Sequence, residues 1–196
     1  MNLFHDRFAT GQVVTATGVP NPTLQSWLKR DLIVGHKDNP IVGGGSPGAH
    51  RRFSFYNVME IAIAKGLLDI GLGSVTNAFM AATSFAHVGG SGIGNEPDRH
   101  PGLPFDTRPR AGYTLLCVAG ERRAAIHWTP GVDPLAIIRH RLGNAGGFVM
   151  LEIDPIFWSV THRLGYDHRD VLELAYPGQP KAPVWDDAAI QPLADE

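Results

Sequence analysis

The sequence predicts an α+β fold, with a helical N-terminal part carrying a short β element and a C-terminal part of order β-β-α-β-α. Three observations predict it. Residues 18–27 read GVPNPTLQSW, turn chemistry placed directly before a short helix with polar outward positions. A glycine-rich tip, GGGSPG at 43–48, leads into a basic return, His50-Arg51-Arg52. Two segments, DPLAIIRHRLG at 133–143 and DPIFWSVTHRLG at 154–165, share an Asp-Pro start and a His-Arg-Leu-Gly end.

Taken in order, Thr10 is expected to cap a helix over about 11–17, with Val13, Val14 and Ala16 as its apolar face. Gly18-Val19-Pro20 breaks it. Asn21 is the expected cap of a second helix over about 22–30, with Pro22 at the first helical position, where a missing N–H costs nothing. Leu24, Trp27 and Leu28 are spaced i, i+3, i+4 and form its buried face; Thr23, Gln25, Ser26, Lys29 and Arg30 are left for solvent or a ligand. Two short helices joined by a turn of about three residues, the second polar on its outer side, make a helix-turn-helix. Leu32-Ile33-Val34 reads as a strand, the glycine-rich tip as a loop, and the Arg pair as the return strand, together a β-wing.

Ser54 is expected to cap a third helix over about 55–70, stopped by Gly71, and Ser74 a fourth over about 75–88. The fourth is apolar over so much of its surface that it must be buried, in this chain or against a second copy. Residues 89–111, rich in Gly, Pro and Asp, read as a linker and domain boundary. Strands are expected at 113–118, 124–128 and 148–153, the first two joined by the hairpin-like AGERR. In each repeat Asp is the expected cap, Pro the first helical residue and Gly the stop, giving helices on one face of the sheet. A helix over about 171–176 follows. The division is therefore 1–88 as a winged helix-turn-helix domain, 89–111 as linker, 112–176 as an α+β dimerisation or effector domain, and 177–196 as a tail.

The chain has 196 residues, 43% hydrophobic and 18% charged, a globular composition. The net charge of −2 does not advertise a nucleic-acid partner. Its distribution is uneven, with seven Lys/Arg against five Asp/Glu in residues 1–75, and ten against fourteen afterwards. The single cysteine, Cys117, excludes an intramolecular disulfide or a thiolate metal cluster in one chain and fits a reducing compartment. No apolar run approaches the roughly 18 residues a membrane span needs. MNLFHDRF lacks the layout of a secretory signal, so a cytoplasmic location is expected.

The first 75 residues or so resemble the DNA-binding domain of MerR-type transcription regulators. The resemblance runs through Thr10-Gly11-Gln12-Val13-Val14, Gly18-Val19, Thr23-Leu24, Trp27 and Leu32-Ile33, then Arg51-Arg52-Phe53-Ser54, Val58 and Leu68-Asp69-Ile70-Gly71-Leu72. It covers about two-fifths of the chain. Where the family usually has Arg after Thr-Leu, this chain has Gln25, and Phe53 replaces the usual Tyr after the wing arginines. The wing is longer and richer in glycine than usual. The resemblance implies a transcription regulator acting as a homodimer on double-stranded DNA. The family's long dimerisation helix has no counterpart, because the helix after Gly73 is short.

DNA binding of this kind starts with phosphate neutralisation, for which Lys29, Arg30, Arg51 and Arg52 are the candidates. Asn21 and Thr23 sit at a helix N-terminus whose N–H groups can meet a phosphate. Gln25 can pair bidentately with adenine, and Ser26 and Lys29 can reach neighbouring bases or phosphates. His50 or Arg51 can enter the minor groove. Trp27 reads as core rather than as a phosphate contact. His127, His140, His162 and His168 fit no zinc spacing, and no metal or cofactor is expected. His140 and His162 fall near helix C-termini, where they favour the dipole. Cys117 reads as a buried mid-strand residue. No catalytic triad or carboxylate pair is evident, so no enzyme is expected; Glu152 and Asp154 read as an edge residue and a helix cap. A DNA-architectural protein of phage or mobile-element type, excisionase- or packaging-like, is the main alternative, and a ligand-binding or protein-interaction module without DNA binding the other. A small-molecule effector fits the first reading, with Tyr113, Trp128, Phe148, Phe157, Trp158 and Tyr166 as pocket or core.

Overall fold

A computed structural model describes residues 2–33, 41–43, 50–90, 98–106 and 112–177. In chain order these form β1 (Phe8–Ala9), α1 (Thr10–Thr17), α2 (Asn21–Lys29), β2 (Arg52–Phe53), α3 (Phe55–Asp69), α4 (Val75–His87), β3 (Tyr113–Ala119), β4 (Arg122–Trp128), α5 (Leu135–Arg141), β5 (Val149–Glu152), α6 (Asp154–Arg163) and α7 (His168–Ala175). The class is α+β as expected, with two small antiparallel sheets, β1-β2 and β4-β3-β5.

The helix ends show which local signals acted. Ser54 and Ser74 cap α3 and α4 as expected, each hydroxyl accepting the N–H three residues on. Asn57 answers Ser54 by accepting its N–H at 3.0 Å. Thr10 is not a cap: it begins α1, and the Gln12 side-chain oxygen closes that end by accepting the Ala9 N–H at 2.9 Å. Asn21 is not a cap either. It is the first residue of α2, with Pro22 second. The expected strand at 32–34 is not formed by its described residues. Asp31 takes a left-handed φ of 52°, and the Leu32 N–H returns to the Trp27 carbonyl at 3.1 Å, so this stretch finishes α2. Val34 and the tip at 44–49 lie outside the described residues.

α3 is the central element. Ten of its residues, from Phe55 to Leu67, are buried, far more than the mixed faces its sequence suggests. It packs on α1, α4, α6, β2 and β5. Gly66 makes this possible on one side: a Cβ there would lie 3.1–3.3 Å from the side chains of Ile156 and Leu151. The apolar face of α4 (Ala78, Phe79, Ala82, Phe85, Ala86) is buried in this chain. Glu60 lies fully buried between the two helices. It accepts the Thr83 hydroxyl at 2.7 Å and meets His87 Nε2 at 3.0 Å.

The second sheet corrects an expectation. Its helices cover both faces, not one. Leu116, Val118 and Leu151 join the cluster containing α3, α4 and α6, while Leu115, Cys117 and Ile126 join Ile138 and Leu142 of α5. Alternate residues point to opposite faces of a strand. Both sets are apolar in β3, so every residue from Thr114 to Val118 is buried and both faces must be covered. Burial pushes the Cys117 thiol up to about 11, which leaves it protonated and unreactive at neutral pH.

The two repeats have diverged. In the first, the helix starts later than expected: Pro134 is the cap and Leu135 the first helical residue, while Asp133, one position before the cap, accepts the Leu135 N–H at 2.9 Å. In the second, Asp154 is itself inside α6 and is no simple cap. Its buried carboxylate accepts the Thr114 N–H of β3 at 2.7 Å, tying helix to sheet. Burial, with Glu152 nearby, pushes Asp154 up to about 7 even though the backbone N–H groups favour its charged form. Both copies end at left-handed glycines, Gly143 and Gly165.

The stretch 89–111 is not a linker over its described residues. Residues 98–106 form a strap packed on the end of α4, with Leu103 and Phe105 buried. Arg99 is 6% exposed, and its guanidinium donates to the carbonyls of Phe85, Val88, His100 and Leu103 while lying 3.9 Å over the Phe85 ring. Burial pulls it down to about 10, so it stays charged at neutral pH. The Tyr176 hydroxyl accepts the His100 N–H at 2.9 Å and donates to the Pro104 carbonyl at 2.8 Å. Nor does packing divide at the expected boundary. One hydrophobic cluster runs from Leu3 to Tyr176, Phe55 meets Phe157 edge to face at 6.4 Å, and Tyr166 hydrogen-bonds Asp6. The tail beyond Pro177 lies outside the described residues. Among those described, no helix is long and apolar enough to cross a membrane.

Two stability measurements check these points. Asp154 holds its proton in the folded chain over a pH range in which the unfolded chain has released it. Its contribution is therefore full below about pH 4 and is lost as pH rises through about 7, by about 4 kcal/mol at most. Asp154→Asn keeps an acceptor for Thr114 and should flatten that part of the urea-unfolding profile. Arg99→Met leaves four carbonyls without this donor and should lower the unfolding free energy by about 3 kcal/mol or more.

Candidate nucleic-acid interface

α2 divides cleanly into two sides. Leu24 is fully buried, Trp27 is 7% exposed and Leu28 is half-buried. Trp27 packs edge to face on Phe79 of α4, with ring centroids 5.0 Å apart. Asn21, Gln25, Ser26, Lys29 and Arg30 are exposed, while Thr23 is half-buried. The i, i+3, i+4 spacing thus separates core from surface as the sequence predicts, and no part of the described chain covers the polar side. The three-residue turn before α2 is closed by Gly18 at φ 67°, whose N–H bonds the Val14 carbonyl at 2.9 Å. The Val19 N–H bonds the Thr17 hydroxyl at 3.2 Å, and Val19 is buried, so the turn is anchored as well as bent.

Beside α2 runs β2. Arg52 is paired on both sides: with Ala9 of β1, and with Val42 through two backbone hydrogen bonds of 2.8 and 3.1 Å. β1 is an element the sequence reading missed, because two residues carry no periodicity to detect. Gly43 lies where the two arms come together. Its φ is 82°, and a Cβ would strike the His50 carbonyl oxygen, so both conformation and space require glycine. His50 and Arg52 are exposed and Arg51 half-buried.

Gln25 and Arg51 are brought together. The Arg51 guanidinium donates to Gln25 Oε1 at 3.1 Å, and Gln25 Nε2 donates to Asn21 Oδ1 at 3.2 Å. This bridge spans 26 residues of sequence, and no local pattern announces it. It has a chemical consequence. A carboxamide has two N–H donors and two acceptor positions. With one of each engaged, Gln25 keeps one donor and one acceptor, the pair that an adenine N7/N6 edge requires. Among the described residues, His50, Arg52, Lys29 and Arg30 make no side-chain hydrogen bond that joins α2 to β2. Their common feature is exposure.

The remaining sequence candidates separate from this surface. His140 and His162 are exposed in the last turns of α5 and α6. Of the aromatics proposed for a pocket, Phe157 is fully buried in the main cluster, and Tyr113 stacks on Trp128 at the sheet edge. No group of His, Cys, Asp and Glu that could hold a metal ion occurs among the described residues. The buried polar groups Glu60, His87 and Arg99 went unread. Glu60 could have been noticed as an acid between Met59 and Ile61 with no polar face to occupy.

No protein-family model matches the chain, and no curated protein matches it.

Trp27→Ala should lower the unfolding free energy by about 3–5 kcal/mol, as for a large buried aromatic. Gln25→Ala, two positions away on the exposed side, should change it by less than about 0.5 kcal/mol. Thermal or urea unfolding of the two variants checks this division of α2.

Proposed function

We propose that this chain is a sequence-specific double-stranded DNA-binding transcription regulator of MerR-like type, with α2 entering the major groove and the basic return strand gripping adjacent backbone or minor groove. The observation that carries the reading is the Asn21–Gln25–Arg51 bridge. It joins an uncovered polar helix face to the basic segment that leads into β2, so that a base-reading group and a phosphate-binding group are held in one register. Lys29, Arg30 and Arg52 add exposed cationic groups around it, and Ser26, Thr23 and His50 polar ones. The protein acts as a homodimer in this reading, because a single module offers few contacts and a two-fold site doubles them. The surface for such pairing lies away from the apolar side of α4, which this chain already fills. No catalytic step is assigned to it, and a cytoplasmic location goes with the reading.

Selection of duplex DNA from a random library by the purified full chain, at near-physiological salt, tests the proposal. The expected result is a sharply enriched motif and an affinity that falls with salt at a log–log slope of roughly −3.6 per protomer, from four phosphate contacts. Arg51→Ala with Arg52→Ala should weaken binding to all sequences and reduce the slope by roughly 1.8. Gln25→Ala should relax preference at one base position by about 1–3 kcal/mol. No enrichment, or an affinity indifferent to salt and to the Arg pair, would overturn the reading.

A further inference from the structure

A concave surface lies away from the α2–β2 face. Between α4, the β3–β4 turn and the end of α5 lies a shallow, wide-open cleft of about 600 Å³, lined by Ser84, Glu121, Arg122, Arg123, His140 and Arg141 together with Gly143. Its side chains are three guanidinium groups and an imidazole against one carboxylate. Ser84, Arg123 and Arg141 also line a smaller pocket of about 180 Å³, so the two spaces share a wall. The smaller pocket is apolar over much of its lining, with Phe85, Val88, Phe105, Leu116 and Ala125, and has the buried Arg99 beside it. Ala81 and Ser84 on α4 and Ala125 on β4 are small, which is why the helix and the sheet do not close on each other here.

The walls are built rather than incidental. Arg122 donates through Nη1 to the carbonyls of Leu142 and Gly143, at 3.0 and 2.9 Å, and so fixes the end of α5 that carries His140 and Arg141. A Cβ at Gly143 would run into that guanidinium, so glycine is needed for the approach. Arg123 donates one bond to the Glu121 carbonyl, at 3.1 Å. A guanidinium carries five N–H donors, so each of these two keeps several for a ligand. A planar fork of donors fits a carboxylate. An apolar cavity of roughly 150 Å³ is enough for a benzene-sized group.

We propose that this cleft binds a small organic carboxylate bearing one ring-sized apolar group, the ring entering the inner pocket and the carboxylate lying between Arg123 and Arg141 at its mouth. α4 then links two surfaces: Phe79 supports Trp27 of the recognition helix, and Ser84 and Phe85, further along the same helix, line the cleft. The ligand site does not rest on the DNA-binding reading, and its test needs no DNA affinity.

The test uses the full chain with benzoate, benzyl alcohol and inorganic phosphate as probes, measured by calorimetry and by the shift in melting temperature. Saturable benzoate binding is expected, with benzyl alcohol at least tenfold weaker because it lacks the charge, and phosphate at least tenfold weaker because it lacks the ring. Arg123→Gln and Arg141→Gln should each weaken benzoate at least tenfold, and Ser84→Leu should block the inner pocket. Arg123→Lys, which keeps charge but not the fork, should fall between wild type and Arg123→Gln, and so remains informative if a Gln variant fails to fold. Absence of saturable benzoate binding to the wild-type chain would overturn the proposal. So would equal binding of benzyl alcohol, equal or tighter binding of phosphate, indifference to the Arg substitutions, or displacement of benzoate by any duplex DNA irrespective of sequence, which would make the cleft part of a phosphate-binding surface.

Discussion

The fold depends on keeping α3 dry. A helix with one apolar stripe needs one neighbour; a helix buried nearly all round must be enclosed. From Phe55 to Leu67 the chain leaves α3 little surface that water could wet, and it responds by wrapping: α1 and β2 on one approach, α4 on another, α6 and β5 on a third. Other features follow from that enclosure. The C-terminal half shares the core of the N-terminal half, because Leu151, Ile156 and Phe157 help to complete the wall around α3. α2 is held by α1 and by the contact of Trp27 with Phe79 of α4, and both of those helices pack on α3.

Enclosure brings polar groups inside, and Glu60, Arg99 and Asp154 share one solution, whereas the Nδ2 of Asn57 is buried without a hydrogen-bond partner. Glu60 shares its oxygens between Thr83 and His87, so the acid in the middle of α3 also fastens α4. Arg99 spends its donors on carbonyls at and beyond the C-terminal end of α4, where the helix dipole is negative and the last carbonyls lack partners within the helix. Asp154 takes the β3 N–H that no strand supplies with an acceptor. A buried polar group left alone is costly, and one bonded across two elements becomes a joint.

Much of this architecture was legible in the sequence. Ser54 and Ser74 announced their helices because a side-chain oxygen at the cap is a local device. The three strands of the second sheet and the helices after each Asp-Pro also lay close to their expected places, since hydrophobic runs and turn residues act over a few positions. Several of the failures share a cause. Whether residues 98–106 are part of a tether or a packed strap, whether helices lie on one face of the sheet or on both, and what Asp154 bonds are all decided by partners remote in sequence. Composition makes 89–111 resemble a linker; over residues 98–106, Arg99 and Tyr176 decide otherwise. The candidate interface divides in the same way. The exposure of Gln25, Lys29 and Arg30 could be read from helical spacing, whereas the Gln25–Arg51 bond could not.

The Tyr176 hydroxyl and the Tyr166–Asp6 bond carry a consequence for how the chain is made. They close loops of 72 to 160 residues, and the two tyrosines flank α7, the last of the described helices. A ribosome releases α3 and α4 long before α6 and α7 exist to shield them. The nascent N-terminal half therefore waits with Leu67 and its neighbours exposed to water or to a chaperone. Such distant closures also slow folding, because chain entropy is lost before the contacts that offset it can form. Translation speed over the second half of the message is thus a physical variable for this protein, setting how long an oily helix stays unsheltered in the cell.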